Sequence, residues 1–194
     1  MPRGRVGEEV EQYQELVCHS LGRIFGENEV IKEWDAAKDS QDDFRRGDLY
    51  CPRIDVAVGP FNIDRRIEIN NERIRASVRE HRDFLRNVFS FSEQRDANFE
   101  DFLANLNPNP RCFLAIEIEN SGSSKHMLGN IANVSILGHI GVVIPFNDSK
   151  FALCGRIKNY VSFASQVGKI ESVFRNVLVV SKENFLRLLG EKRQ

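Results

Sequence analysis

Residues 112–120 read Cys-Phe-Leu-Ala-Ile-Glu-Ile-Glu-Asn, and residues 140–146 read Ile-Gly-Val-Val-Ile-Pro-Phe. The first run is apolar, then alternates, and closes on two acids, which predicts a strand leading from a core to a polar end. The second run is apolar throughout, as in a strand covered on both faces. Between them, Ser121-Gly-Ser-Ser124 supplies turn and helix-cap chemistry. Leu128, Ile131, Val134 and Leu137 then recur at helical spacing, and Gly138 stops the pattern. Strand, helix and strand in this order predict a crossover unit and a sheet with helices on its faces.

Upstream, residues 50–58 read Tyr-Cys-Pro-Arg-Ile-Asp-Val-Ala-Val before Gly59-Pro60, which predicts another strand. Its alternation places Asp55 on the face opposite Ile54, Val56 and Val58. Residues 8–25 predict a helix through Val10, Val17, Leu21 and Ile24, with Gly26 as its stop. A first strand is expected around Val30-Ile31 and Trp34, and a loop at residues 39–43. Residues 71–106 predict a charged helical insertion, closed by Asn107-Pro-Asn-Pro110, that would serve as a partner or substrate surface. A further helix, a strand over 177–180 and a helix over 183–189 follow. The expected fold class is α/β: one domain over residues 1–194, with a mixed central sheet flanked by helices.

Composition narrows the function classes. Apolar residues make up 41% and charged residues 28%, a globular balance and not that of a disordered chain. No apolar run reaches the roughly 20 residues that a membrane-spanning helix needs, and the first residues lack a signal-peptide core, so a cytoplasmic protein without membrane contact is expected. Cys18, Cys51, Cys112 and Cys154 are scattered and form no Cys-x-x-Cys pair, so they are expected reduced and buried. A net charge of −1 neither requires nor excludes a nucleic acid, which needs only one basic face.

The chemistry resides in three acids, Asp55, Glu117 and Glu119. Each interrupts an apolar strand, and a carboxylate there is costly unless something neutralises it. Glu117 and Glu119 are two apart and share a strand face. On neighbouring strands the three would converge, repel one another and call for a divalent cation. Hard oxygen donors suit Mg²⁺ or Mn²⁺. Relief of that repulsion predicts that Asp55→Ala leaves the metal-free protein as stable as before or more so.

Asp55, followed on a later strand by Glu117-Ile118-Glu119, then a turn and a helix, resembles the PD-(D/E)xK superfamily of restriction-endonuclease-like nucleases. The resemblance covers roughly residues 8–146 without the insertion. It implies a restriction-endonuclease-like core, a cation held by Asp55, Glu117 and Glu119, and hydrolysis of phosphodiester bonds, with DNA as the expected partner. A lysine usually stands where this chain has Glu119. Lys125, at the start of the following helix, would supply that cation, as in variants whose lysine has migrated. Pro52 precedes Asp55 by three positions instead of one. The alternative on the same fold is a non-catalytic module that binds nucleic acid or protein. A homodimer is compatible with either.

Weaker candidates surround this set. His126, Asn130 and Asn133 fall on the other side of their helix from its apolar stripe and would face the acids or substrate. Glu15, on the first helix, would reach the cation through water. His19, His81 and His139 are isolated and read as structural. The arginines of residues 65–95 would contact phosphates or form a solvated, salt-bridged surface. No phosphate-binding glycine loop and no Gly-x-Ser-x-Gly elbow is present.

Overall fold

The computed structural model describes residues 3–36, 52–61, 67–94, 97–120, 123–169 and 174–191. Helix α1 (Arg3–Phe25) comes first. Tyr13, Val17 and Leu21 stand four apart on it and are buried, because that spacing aligns successive turns on one stripe. Gly26 ends the helix at φ 98, a left-handed backbone that penalises residues with a Cβ. The chain then enters β1 (Val30–Asp35), which pairs antiparallel with β2 (Arg53–Val58). The expected loop at 39–43, and also Tyr50 and Cys51, lie outside the described residues.

Three helices follow β2: α2 (Ile67–Glu80), α3 (Arg82–Ser90) and α4 (Phe99–Leu103). The helical region thus begins earlier than residue 71 and breaks at His81, the N-cap of α3. Next comes β3 (Cys112–Glu119), antiparallel to β2, then α5 (Ser124–Leu137) and β4 (Gly138–Pro145), parallel to β3. Helix α6 (Asp148–Gln166) leads to β5 (Val177–Val179), parallel to β4, and α7 (Lys182–Leu188) follows. The sheet order is β1-β2-β3-β4-β5. The fold is therefore α/β with a mixed sheet and helices on its faces, as the crossover pattern of residues 112–146 predicts.

Two cores sandwich the sheet. On one face Val56, Val58, Ile116 and Val142 pack against Tyr13 and Val17 of α1, Ile74 of α2, Leu85 and Val88 of α3, and Phe102 of α4. On the other face Ala57, Ala115 and Val143 pack against Met127, Ile131 and Val134 of α5 and Cys154 of α6. The helices between β2 and β3 therefore supply one wall of the main core, with each fully buried side chain contributing about 1.5–3 kcal/mol. Helix α5 also sits close to the sheet. A Cβ on Gly141 of β4 would come within 2.8 Å of Val134 Cγ2, so only glycine admits the helix at this distance.

Three local expectations change. Leu128 is 41% exposed and Met127 is buried in its place, while Ile131, Val134 and Leu137 are buried as expected, because position 127, four before Ile131, completes the inward stripe. Ile54 joins Trp34 in the second core instead of following Val56 and Val58. The cause lies in β1: Glu33 sits at φ 53, and the ladder pairs Lys32 with Val56 and Trp34 with Ile54 while skipping the pair between them. The register is the same on both sides of this gap, but the alternation of side chains reverses across it, so that Ile31 and Trp34 share one core. Cys112 and Cys154 are buried and free, whereas Cys18 is free but only half-buried.

Candidate active site

The pairing of Ala57 with Ala115 and Val56 with Ile116 carries Asp55 alongside Glu117 at the end of the β2–β3 ladder. There a side chain takes over from the backbone: Asp55 Oδ2 accepts the Ile118 N–H at 2.7 Å. The Asp55 and Glu117 carboxyls are also hydrogen-bonded to each other. Burial pushes Glu117 up to about 10, and the charge and hydrogen bond of Asp55, then Glu119 and Glu33, push the same way. Asp55 is raised too, mainly by burial, but the Ile118 N–H and the bond to Glu117 oppose the shift. Burial and mutual repulsion thus both favour keeping a proton on the pair.

Glu119 stands two residues along the same strand, 1% exposed. Its Oε2 accepts from Asn130 Nδ2 of α5 at 2.9 Å. Among the described residues no three His, Cys, Asp or Glu side chains are grouped as an ion-holding set. Within the acid trio the close pair is Asp55 with Glu117, while Asn130 draws on Glu119.

All three acids line one open cleft of about 640 Å³. Strand β2 contributes Arg53, and the end of β3 contributes Asn120. Helix α5 contributes Lys125, His126, Asn130 and Asn133. The last three recur at i, i+4 and i+7, so they form one polar stripe, on the side expected from the sequence. Lys125 thus lies at the same cleft as Asp55, Glu117 and Glu119. The α5 N-cap, Ser123, makes no side-chain cap hydrogen bond, contrary to the expected capping, and residues 121–122 lie outside the described set.

Other candidates fall elsewhere. Glu15 is exposed on α1 and bonded to Lys32 Nζ at 3.2 Å. The α1 residue that reaches Asp55 is its neighbour Gln14, which donates to Glu33 Oε1 at 2.9 Å and to the Asp55 carbonyl at 2.7 Å. His139 is buried with Nδ1 at 2.6 Å from the Asn107 carbonyl, a structural role as expected, and burial holds its pKa down. His81 stacks on Phe25, and His19 is exposed.

Sequence reasoning missed Gln14, Glu33, Arg53 and Lys150. Lys150 Nζ donates to the Asn120 carbonyl at 2.6 Å and to the Asn120 side chain, tying α6 to the end of the acidic strand. Only Arg53, two positions before Asp55 on its strand, carried a readable signal. The other three act through contacts distant in sequence.

No family model matches this chain, and neither does any curated protein or solved structure. Among the described residues no helix is long and apolar enough to cross a membrane.

Proposed function

We propose that this cleft is the active site of a divalent-cation-dependent phosphodiester hydrolase acting on DNA. The observation that carries the reading is the meeting of Asp55 and Glu117 across two adjacent strands, in a cleft that also holds Glu119 and Lys125. A buried carboxyl in contact with a partly buried one favours a shared proton or a cation over two bare charges. The donor set is all oxygen, which fits Mg²⁺ or Mn²⁺. Asp55 and Glu117 would hold the cation, which when bound would supply electrophilic polarisation of the phosphate.

The chain's own groups do the rest. Glu119, oriented by Asn130, takes the proton of the attacking water. The water oxygen bonds to phosphorus as the bond from phosphorus to the leaving sugar oxygen breaks, and that oxygen takes a proton from solvent water in the open cleft. Lys125 at the cleft offsets negative charge that builds on the phosphate oxygens. The row of His126 and Asn133 offers further donors to the substrate. The resemblance to restriction-endonuclease-like nucleases, carried by Asp55 and Glu117-Ile118-Glu119, supports the same reading, with DNA as the partner.

Incubation of the protein with linear duplex DNA, with Mg²⁺ or Mn²⁺ and with chelator, tests it. Cation-dependent cleavage that Asp55→Asn abolishes is expected. DNA binding without cleavage would replace the hydrolase with a binding module on the same fold.

A further inference from the structure

The β1–β2 ladder has one gap, and it falls beside the acid pair. Lys32 pairs with Val56 and Trp34 with Ile54, but Glu33 and Asp55 between them do not pair. Glu33 sits at φ 53, a backbone region that residues with a Cβ adopt only when their surroundings hold them there. A buried carbonyl that loses its ladder partner needs another donor. Gln14, 6% exposed in the middle of α1, supplies it: Nε2 reaches the Asp55 carbonyl at 2.7 Å.

The same amide nitrogen also donates to Glu33 Oε1 at 2.9 Å. The other oxygen of Glu33 lies 3.6 Å from Arg53 Nη1, and Arg53 lines the cleft. One buried carboxamide thus fastens the strand at Asp55 from behind and begins a relay through Glu33 to a guanidinium at the substrate side. Arg53 and Glu33 are each about half exposed, so the guanidinium stays open to solvent while one side is held.

We propose that Gln14 is a positioning residue of the acidic site, and that through Glu33 it presents Arg53 as the side chain that grips a phosphate of the nucleic-acid backbone. A guanidinium is suited to that task because its planar fork matches two phosphate oxygens. Gln14 replaces a backbone hydrogen bond that an uninterrupted strand would have made, and in exchange Glu33 is free to face Arg53. The inference rests on the hydrolase reading of the cleft.

The test uses the full chain and one linear duplex DNA. Gln14→Met keeps the length and apolar bulk of the side chain but cannot donate. It should lower kcat about 10- to 100-fold, as losing a supporting hydrogen bond behind a cation ligand does, and, because it also releases Glu33, should raise KM in the same direction as Arg53→Met. Arg53→Met should raise KM with kcat nearly unchanged. In chelator it should also reduce the salt slope of DNA binding by about 1. Glu33→Gln, a change at a half-exposed position, should shift KM in the same direction as Arg53→Met.

Asp55→Asn is run beside them. If it cleaves like the wild type, the hydrolase reading itself falls. If it is inactive while Gln14→Met and Arg53→Met keep wild-type kcat, KM and salt slope, the positioning proposal falls alone. Should Gln14→Met fail to fold, the KM and salt slope of Glu33→Gln and Arg53→Met decide the relay: both shifted supports it, both unchanged overturns it.

Discussion

Asp55 and Glu117 meet across the β2–β3 pair, each carboxyl pushed up chiefly by burial, with the Ile118 N–H fixing Asp55 in place. Their separation of 62 positions in sequence closes to a hydrogen bond because α2, α3 and α4 pack beneath the sheet and return the chain to the neighbouring strand. The pair is stable as a carboxylate with a carboxylic acid and unfavourable as two carboxylates.

That state makes stability depend on pH in a definite direction. The folded pKa of Glu117 is raised from 4.5 to about 10. Between those values the folded chain keeps a proton that the unfolded chain releases, so stability falls as pH rises. Denaturant melts in chelator between about pH 5 and about pH 9 should show this decline, and Glu117→Gln should flatten it. At the alkaline end the variant should be the more stable protein. Parallel profiles for the two proteins would show that Glu117 carries no buried proton.

Asp55 gives the corresponding test of the cation. The acids alone argue that Asp55→Ala relieves repulsion without penalty. The Ile118 N–H changes that expectation, since truncation strands a buried donor at a cost of about 1–3 kcal/mol. Asp55→Asn keeps an acceptor for Ile118 and removes the charge. Mg²⁺ should stabilise the wild type by mass action, about 2.7 kcal/mol at a hundredfold excess over Kd, and should stabilise Asp55→Asn far less. Equal thermal shifts on adding Mg²⁺ would remove Asp55 from any ion site.

The helices between β2 and β3 supply a third prediction. Residues 71–106 read as a separable surface because many charged residues surround a sparse stripe of Ile74, Val78, Phe84, Leu85 and Val88. Phe102 is nevertheless 4% exposed and belongs to the same core as Val17 and Ile116. Phe102→Ala should cost about 3–5 kcal/mol and shift unfolding of the whole domain. A mild variant that loses only DNA affinity would restore the separable-surface view.

What the sequence disclosed follows from the range of the forces involved. The crossover from Cys112 to Phe146 is local, so strand, helix and strand were legible from periodicity alone. The placement of Asp55, Glu117, Glu119 and Lys125 at one cleft was legible because carboxylates inside apolar strands are rare and expensive. The burial of Met127 in place of Leu128 was not, since both are apolar and both stand at helical spacing from Ile131. Glu33 was invisible for another reason. A left-handed backbone at a glutamate has no local signature, and it is held by Gln14 from another element. Charge draws a sequence reading to Glu15, yet α1 turns that residue outward to Lys32 and the Gln14 amide inward.

Asn130 offers the sharpest test of what Glu119 does. Its amide nitrogen donates to Glu119 Oε2 at 2.9 Å, and Glu119 is 1% exposed. Asn130→Asp is nearly isosteric but replaces that donor with a second carboxylate. In chelator at neutral pH the loss of a hydrogen bond to a charged group, about 1.5–3 kcal/mol, adds to like-charge repulsion, so the variant should melt well below the wild type. If Glu119 shares in ion binding, Mg²⁺ neutralises both carboxylates and recovers most of the loss, giving a larger Mg²⁺-induced shift than the wild type shows. If Glu119 instead accepts the proton from water, as the proposed mechanism has it, Mg²⁺ should shift both proteins alike. Cleavage by Asn130→Asp should then fall because the acceptor is no longer oriented. A wild-type rate in Asn130→Asp would show that Glu119 takes no part in the chemistry.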